Sequence, residues 1–157
     1  MTPREKICEL RKHYMFTLHE FSASVHSSVH SARASGIPLE KIVKTVLLED
    51  KEERLFAVIL FGKDLVDKNK IREQFSCSKL RLVPFEKVVK VCGFPAGGVP
   101  PFGFDATFIV DESLPDDLSV FVGGGDMHTL LEITVSEIKK ACSPVVIKVK
   151  KEYEMKQ

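Results

Sequence analysis

Ile42-Val43-Lys44-Thr45-Val46-Leu47-Leu48 and Arg54-Leu55-Phe56-Ala57-Val58-Ile59-Leu60-Phe61 read as two strands. Both are rich in β-branched, aliphatic and aromatic side chains. The charged run Glu49-Asp50-Lys51-Glu52-Glu53 between them suits a hairpin turn, and Gly62 ends the second strand.

Around this hairpin, helices and strands interleave irregularly. Thr2-Pro3 with Glu5 looks like a capped helix start, predicting a helix from Pro3 to about His13. Phe16 to Phe21 reads as a short strand. Ser27 is a plausible cap for a helix over Ser28 to Ser35, which Gly36 stops. Asp67 caps a helix through Phe75, Lys79 to Val83 is a strand, and Pro84 to Val91 is an amphipathic helix ended by Gly93. Strands follow at Ala106 to Val110, Ser119 to Val122 and Thr129 to Ile133. Thr134-Val135-Ser136-Glu137 is a capping box opening a helix to about Ala141. Pro144 to Val149 is a last strand, and the charged tail is expected to fray. This order predicts a mixed sheet flanked by helices, in an α/β or α+β domain.

The 157 residues suffice for one domain, and 44% apolar with 29% charged content is ordinary for a globular chain. Lys plus Arg number 23 against 22 Asp plus Glu, so charge alone does not supply a nucleic-acid grip. The first residues hold no apolar signal core, and no run is long enough to span a bilayer. Cys8, Cys77, Cys92 and Cys142 are scattered without a C-x-x-C pair, which suits reduced thiols in a cytoplasmic protein.

Two features stand out for function. Alternation puts Lys44 on the same strand face as Ile42, Val46 and Leu48. A lysine in an apolar row either snorkels from a sheet edge or enters a cavity that binds an anion or a developing oxyanion. The second is Gly93-Phe94-Pro95-Ala96-Gly97-Gly98-Val99-Pro100-Pro101-Phe102-Gly103, with four glycines and three prolines in eleven residues. No helix or central strand tolerates that density, so it is a loop of enforced shape, serving as a rigid connector or as a backbone that approaches a ligand.

Gly123-Gly124-Gly125-Asp126 is either a hairpin turn or a second backbone wall, with His128 well placed beside it. It matches no phosphate-loop fingerprint. His26 and His30 have helical metal-ligand spacing but lack a third ligand at recognisable spacing, so no metal or other cofactor is expected. No serine lies in G-x-S-x-G and no cysteine in a recognisable catalytic setting. Chemistry here must rest on positioning and polarisation.

Taken together, Ile42 to Leu47, Gly93 to Gly103 and Val122 to Gly125 resemble the "IVKT" strand, Gly/Pro loop and late glycine turn of one family. It is the YbaK/EbsC group of aminoacyl-tRNA deacylases associated with prolyl-tRNA synthetase. Ser27 to Gly36 and Asp111-Glu112-Ser113-Leu114 add to the resemblance, which runs from about Phe16 to Ala141.

The resemblance implies a bent, barrel-like mixed sheet around a small pocket, with a domain core over about 16–142. It implies hydrolysis of the ester joining a wrong amino acid to the terminal ribose of tRNA. Lys44 would be the catalytic lysine, and Thr45 would line the same site. Gly97, Gly98 and Val99 would position substrate with their backbone, held in place by Pro100, Pro101 and Phe102. Gly124 and Gly125 would form the opposite wall, with Asp126 at its rim. The partner would be a mischarged tRNA, such as tRNA-Pro carrying Cys, Ala or Ser, with a prolyl-tRNA synthetase as a second candidate. Without synthetase motifs the chain would act in trans. Ser27 replaces the family's threonine, and Asp126-Met127-His128 follows three glycines, so the amino acid removed stays open. The competing readings are a module that binds an aminoacyl-adenosine-like ligand without turnover, and a purely structural scaffold.

Overall fold

The structure is a computed structural model that describes residues 1–25 and 28–152. Its strands form two open sheets. One has the order β1 (Thr17–Glu20), β7 (Thr129–Thr134), β6 (Ser119–Gly123). The other runs β4 (Arg81–Leu82), β2 (Val43–Glu49), β3 (Leu55–Phe61), β5 (Thr107–Asp111), β8 (Val145–Ile147). The sheet is mixed as expected: β2 and β3 form the antiparallel hairpin, while β3–β5 and β5–β8 are parallel.

Alternation along β3 explains the layering. Ala57 and Ile59 face a core shared with Val120, Val122, Leu131 and Ile133 of the smaller sheet. Phe56, Val58 and Leu60 face the other way, onto Ile71 of α3 (Lys68–Phe75) and onto Val149. A strand covered on both faces must be apolar nearly throughout, which is what residues 55–61 are.

The helices begin where their caps dictate. Thr2 accepts from the Glu5 amide at 3.1 Å to open α1 (Pro3–Leu10), and Asp67 accepts from Asn69 at 3.1 Å to open α3. Thr134 opens α5 (Val135–Cys142) by accepting from Glu137 at 3.3 Å. The single helix expected after Pro84 is instead a 3-10 turn (Phe85–Lys87) running into α4 (Val88–Cys92). The remaining helix, α2, spans Ser28–Ser35. The expected Ser27 cap and His26 lie outside the described residues, as does the tail after Glu152. Packing extends beyond 16–142, since Ile7 and Val149 are both fully buried. Among the described residues no helix is long and apolar enough to cross a membrane.

The barrel-like closure expected from the resemblance does not occur, and the backbone shows why. Gly62 N–H donates to the Ile42 carbonyl at 2.8 Å and Asp50 N–H to that of Arg54 at 3.2 Å. By antiparallel alternation, even-numbered β2 residues bond to β3, and Val43, Thr45 and Leu47 turn their backbone groups to the other edge. At one end of that edge Leu47 and its neighbours pair with the β4 segment, including Val83 N–H to Leu47 O at 3.0 Å. At the other end the backbone of the smaller sheet joins it by one parallel bridge among the described residues, Ile42 to Phe121. Between these contacts the sheets diverge.

Candidate active site

A cavity of about 380 Å³ occupies that divergence. β2 contributes Lys44, Thr45 and Val46, β6 contributes Phe121 and Gly123, and the Gly/Pro loop contributes Gly97 and Val99. Ser31 from α2 and Val25 complete one side. Among the described residues Lys44 carries the only charge in this lining, and Ser31 and Thr45 are its other polar side chains.

Lys44 is half-buried, and its Nζ donates to the Gly62 carbonyl at 3.2 Å. Burial pushes its ammonium pKa below the ordinary lysine value, against the opposing attraction of Asp64. Thr45 Oγ1 is buried with no hydrogen-bond partner among the described residues. The Ser31 hydroxyl is occupied, donating to the Val25 carbonyl at 2.5 Å. Among the described residues no cysteine, histidine or carboxylate lines the cavity.

The Gly/Pro loop reaches this site because it packs backbone to backbone against the late glycine turn. Gly97 has φ +89°, and Gly98 N–H closes a turn onto the Pro95 carbonyl at 3.0 Å. A Cβ on Gly98 would lie 2.6 Å from the Asp126 amide nitrogen, and one on Gly123 would lie 2.3 Å from the Val99 carbonyl oxygen. These glycines exist to let two main chains touch. Phe102 anchors the loop in the core, fully buried, with its ring 6.0 Å from Tyr14 and 5.9 Å from Phe16. Pro100 and Pro101 are buried beside it.

The structure thus brings Lys44, Thr45, Gly97 and Val99 to one cavity, with Gly98 directly behind it. Pro100, Pro101 and Phe102 lie outside the lining. In the late turn it is Gly123 that lines the cavity. Gly124 and Gly125 sit behind it, Gly125 against Ile7 of α1. Asp126 Oδ1 accepts from the His128 amide and the Thr129 hydroxyl, both at 2.8 Å, so it braces the turn. His128 is exposed, with Nδ1 3.2 Å from the Ala23 carbonyl. Sequence reasoning did not single out Ser31, Gly62, Asp64 or Phe121. Only Ser31 had a signal, as part of the Ser27 to Gly36 stretch.

Residues 22–141 match the aminoacyl-tRNA editing domain family. The chain belongs to that family. It is the YbaK-like group whose lysine strand and Gly/Pro loop meet here in one cavity. Among relatives, an uncharacterized protein of Bacillus subtilis, YwhH, is 28% identical over 138 residues, covering 86% of this chain and 87% of that protein. The proline–tRNA ligase of Thermotoga maritima is 30% identical over 95 residues, 60% of this chain but 16% of the ligase. A crystal structure of hypothetical protein APE2540 superposes with a TM-score of 0.84 at 28% identity, covering 93% of this chain and 99% of that one. A candidate trans-editing enzyme for prolyl tRNA synthetase shares the fold with a TM-score of 0.82 at 24% identity, covering 97% and 99%.

Proposed function

We propose that this editing domain is a trans-acting aminoacyl-tRNA deacylase that hydrolyses the ester of mischarged tRNA, with tRNA-Pro carrying Cys, Ala or Ser as the first candidate substrates. The observation that carries this reading is the meeting of the Lys44 ammonium and the Gly97 backbone on one cavity. The volume, about 380 Å³, sits at the small end of ligand pockets and suits a small amino acid esterified to a terminal ribose. The likeness to a proline–tRNA ligase segment and to a structure described as a candidate trans-editing enzyme supports the substrate class.

An aminoacyl ester is already labile, so catalysis needs no protein nucleophile. Lys44 would hold the reacting carbonyl or the terminal adenosine and stabilise negative charge as a water attacks. The loop backbone at Gly97 and Gly98 would fix the ester's orientation, contributing by proximity rather than by a proton transfer of its own. As the family resemblance implies, the substrate's own free ribose hydroxyl would help to activate the water. Selection would rest on pocket volume, set by Val25, Val99 and Phe121 among others. Such pockets discriminate single methylene groups only modestly.

That Lys44 is the one ionisable side chain of the lining among the described residues also suits a module that binds an aminoacyl-adenosine end without turnover. A panel of Ala-, Cys- and Ser-tRNA-Pro beside correctly charged Pro-tRNA-Pro separates the two. Ester loss above the spontaneous rate for at least one mischarged species supports the deacylase. Saturable binding with no added ester loss supports the module.

A further inference from the structure

Buried carboxylates elsewhere in this chain are engaged. Glu49 pairs with Arg81 at 2.7 Å and Lys87 at 2.8 Å. Asp111 takes backbone amides on both oxygens; Asp50 Oδ1 accepts from the amides of Glu52 and Arg54, and its Oδ2, without a hydrogen bond among the described residues, lies 3.8 Å from the Arg54 guanidinium. Asp64 differs. It is 4% exposed, yet its Oδ2 has no hydrogen-bond partner and no cation forms an ion pair with it among the described residues. A carboxylate held this way is costly unless a charge nearby compensates it through the low-dielectric interior.

The turn that carries Asp64 is also the one that receives Lys44. Lys44 Nζ bonds the Gly62 carbonyl at 3.2 Å, and two residues later the Asp64 amide folds back onto the Phe61 carbonyl at 3.0 Å. Among the described residues nothing else lining the cavity around Lys44 offers negative charge. β3 presents Leu60 opposite it, α2 presents Ser31, β6 presents Phe121 and the Gly/Pro loop presents backbone. Lys63, between Gly62 and Asp64, adds a positive charge, with Nζ 5.9 Å from the Phe61 ring centre. Asp64 is accordingly the attraction that opposes the burial of the Lys44 ammonium.

We propose that Asp64 is a positioning residue whose buried carboxylate keeps Lys44 cationic and docked on the Gly62 carbonyl at the wall of the cavity. What the cation does there rests on the deacylase reading; whether the two charges are coupled does not.

The test is the titration of the Lys44 amine, followed by NMR in lysine-labelled protein and assigned against Lys44→Ala. Asp64→Asn keeps the shape and removes the charge. The Lys44 midpoint should fall by about one pH unit, a tenfold loss of proton affinity. The alkaline limb of deacylation should move to lower pH with it, and Asp64→Glu should recover part of both. An unmoved Lys44 midpoint in folded Asp64→Asn overturns the proposal. Asp64→Ser, which also removes the charge, gives the second reading should Asp64→Asn not fold: the Lys44 midpoint should fall there too, and an unmoved midpoint overturns the proposal. If the parent protein hydrolyses no ester, the deacylase reading fails, while the Lys44 titration still decides the coupling.

Discussion

The amide of Gly125 donates to the carbonyl of Gly98 at 2.8 Å, tying the Gly/Pro loop to the late glycine turn. That bond fixes one wall of the cavity with main chain alone. The side chains that would ordinarily separate two loops are missing at Gly98 and Gly123, where an added Cβ would collide with backbone atoms. Shape at this wall is therefore set before any ligand arrives.

Gly98→Ala should damage the wall. The new methyl would sit 2.6 Å from the Asp126 nitrogen, and backbone cannot swing aside as a flexible side chain can. We expect a loss of about 1–3 kcal/mol in stability, typical of overpacking, and a larger fractional loss of deacylation than of folded protein. Thermal melts and initial rates on the same preparation check both.

Asp111 clamps the chain's last strand region. Oδ1 accepts from the amides of Val149 at 2.8 Å and Lys150 at 3.0 Å, and Oδ2 accepts from the Ser113 amide at 3.0 Å and from its hydroxyl. Burial works against the charge, yet the Ser113, Val149 and Lys150 hydrogen bonds outweigh it and hold the carboxyl below its ordinary value. A depressed folded pKa means the stabilisation is present above the unfolded carboxyl value and disappears as pH falls through the folded one. Asp111→Asn cannot accept on both sides and should cost about 1–3 kcal/mol at neutral pH. The gap between parent and variant should narrow on acidification, measured by denaturant unfolding at several pH values.

Thr45 holds a buried hydroxyl oxygen with no partner among the described residues. Thr45→Val replaces it with a methyl of similar size and removes that penalty. The melting temperature should stay level or rise, by up to the equivalent of about 1 kcal/mol. A lower melting temperature would contradict the orphaned state of the oxygen.

Much of this architecture was legible in the chain. The hairpin of β2 and β3 follows from residue type, and Thr2, Asp67 and Thr134 announce three helices by their capping chemistry. Lys44 and the Gly/Pro loop were recognisable separately, and their resemblance to one family joined them. What sequence could not show was spacing across the fold. Closure into a barrel depends on how β4 and β6 share one edge of β2, which no local pattern encodes. Gly123 rather than Gly124 or Gly125 faces the cavity because of the turn's exact backbone path. Asp64 had no signal, since a carboxylate after a glycine reads as an ordinary turn residue until its burial is seen.

The decisive measurement is the first-order loss of aminoacyl ester from mischarged tRNA-Pro by the parent protein and by Lys44→Ala, with folding of both checked by their melts. Lys44 is half-buried at the cavity wall, so its truncation should leave the fold intact. Ester loss should run well above the spontaneous rate for the parent and drop about 100-fold in the variant, the scale seen when one oxyanion-stabilising group is removed. Equal rates for parent and Lys44→Ala would contradict a catalytic pocket built from Lys44 and the Gly97–Gly98 backbone.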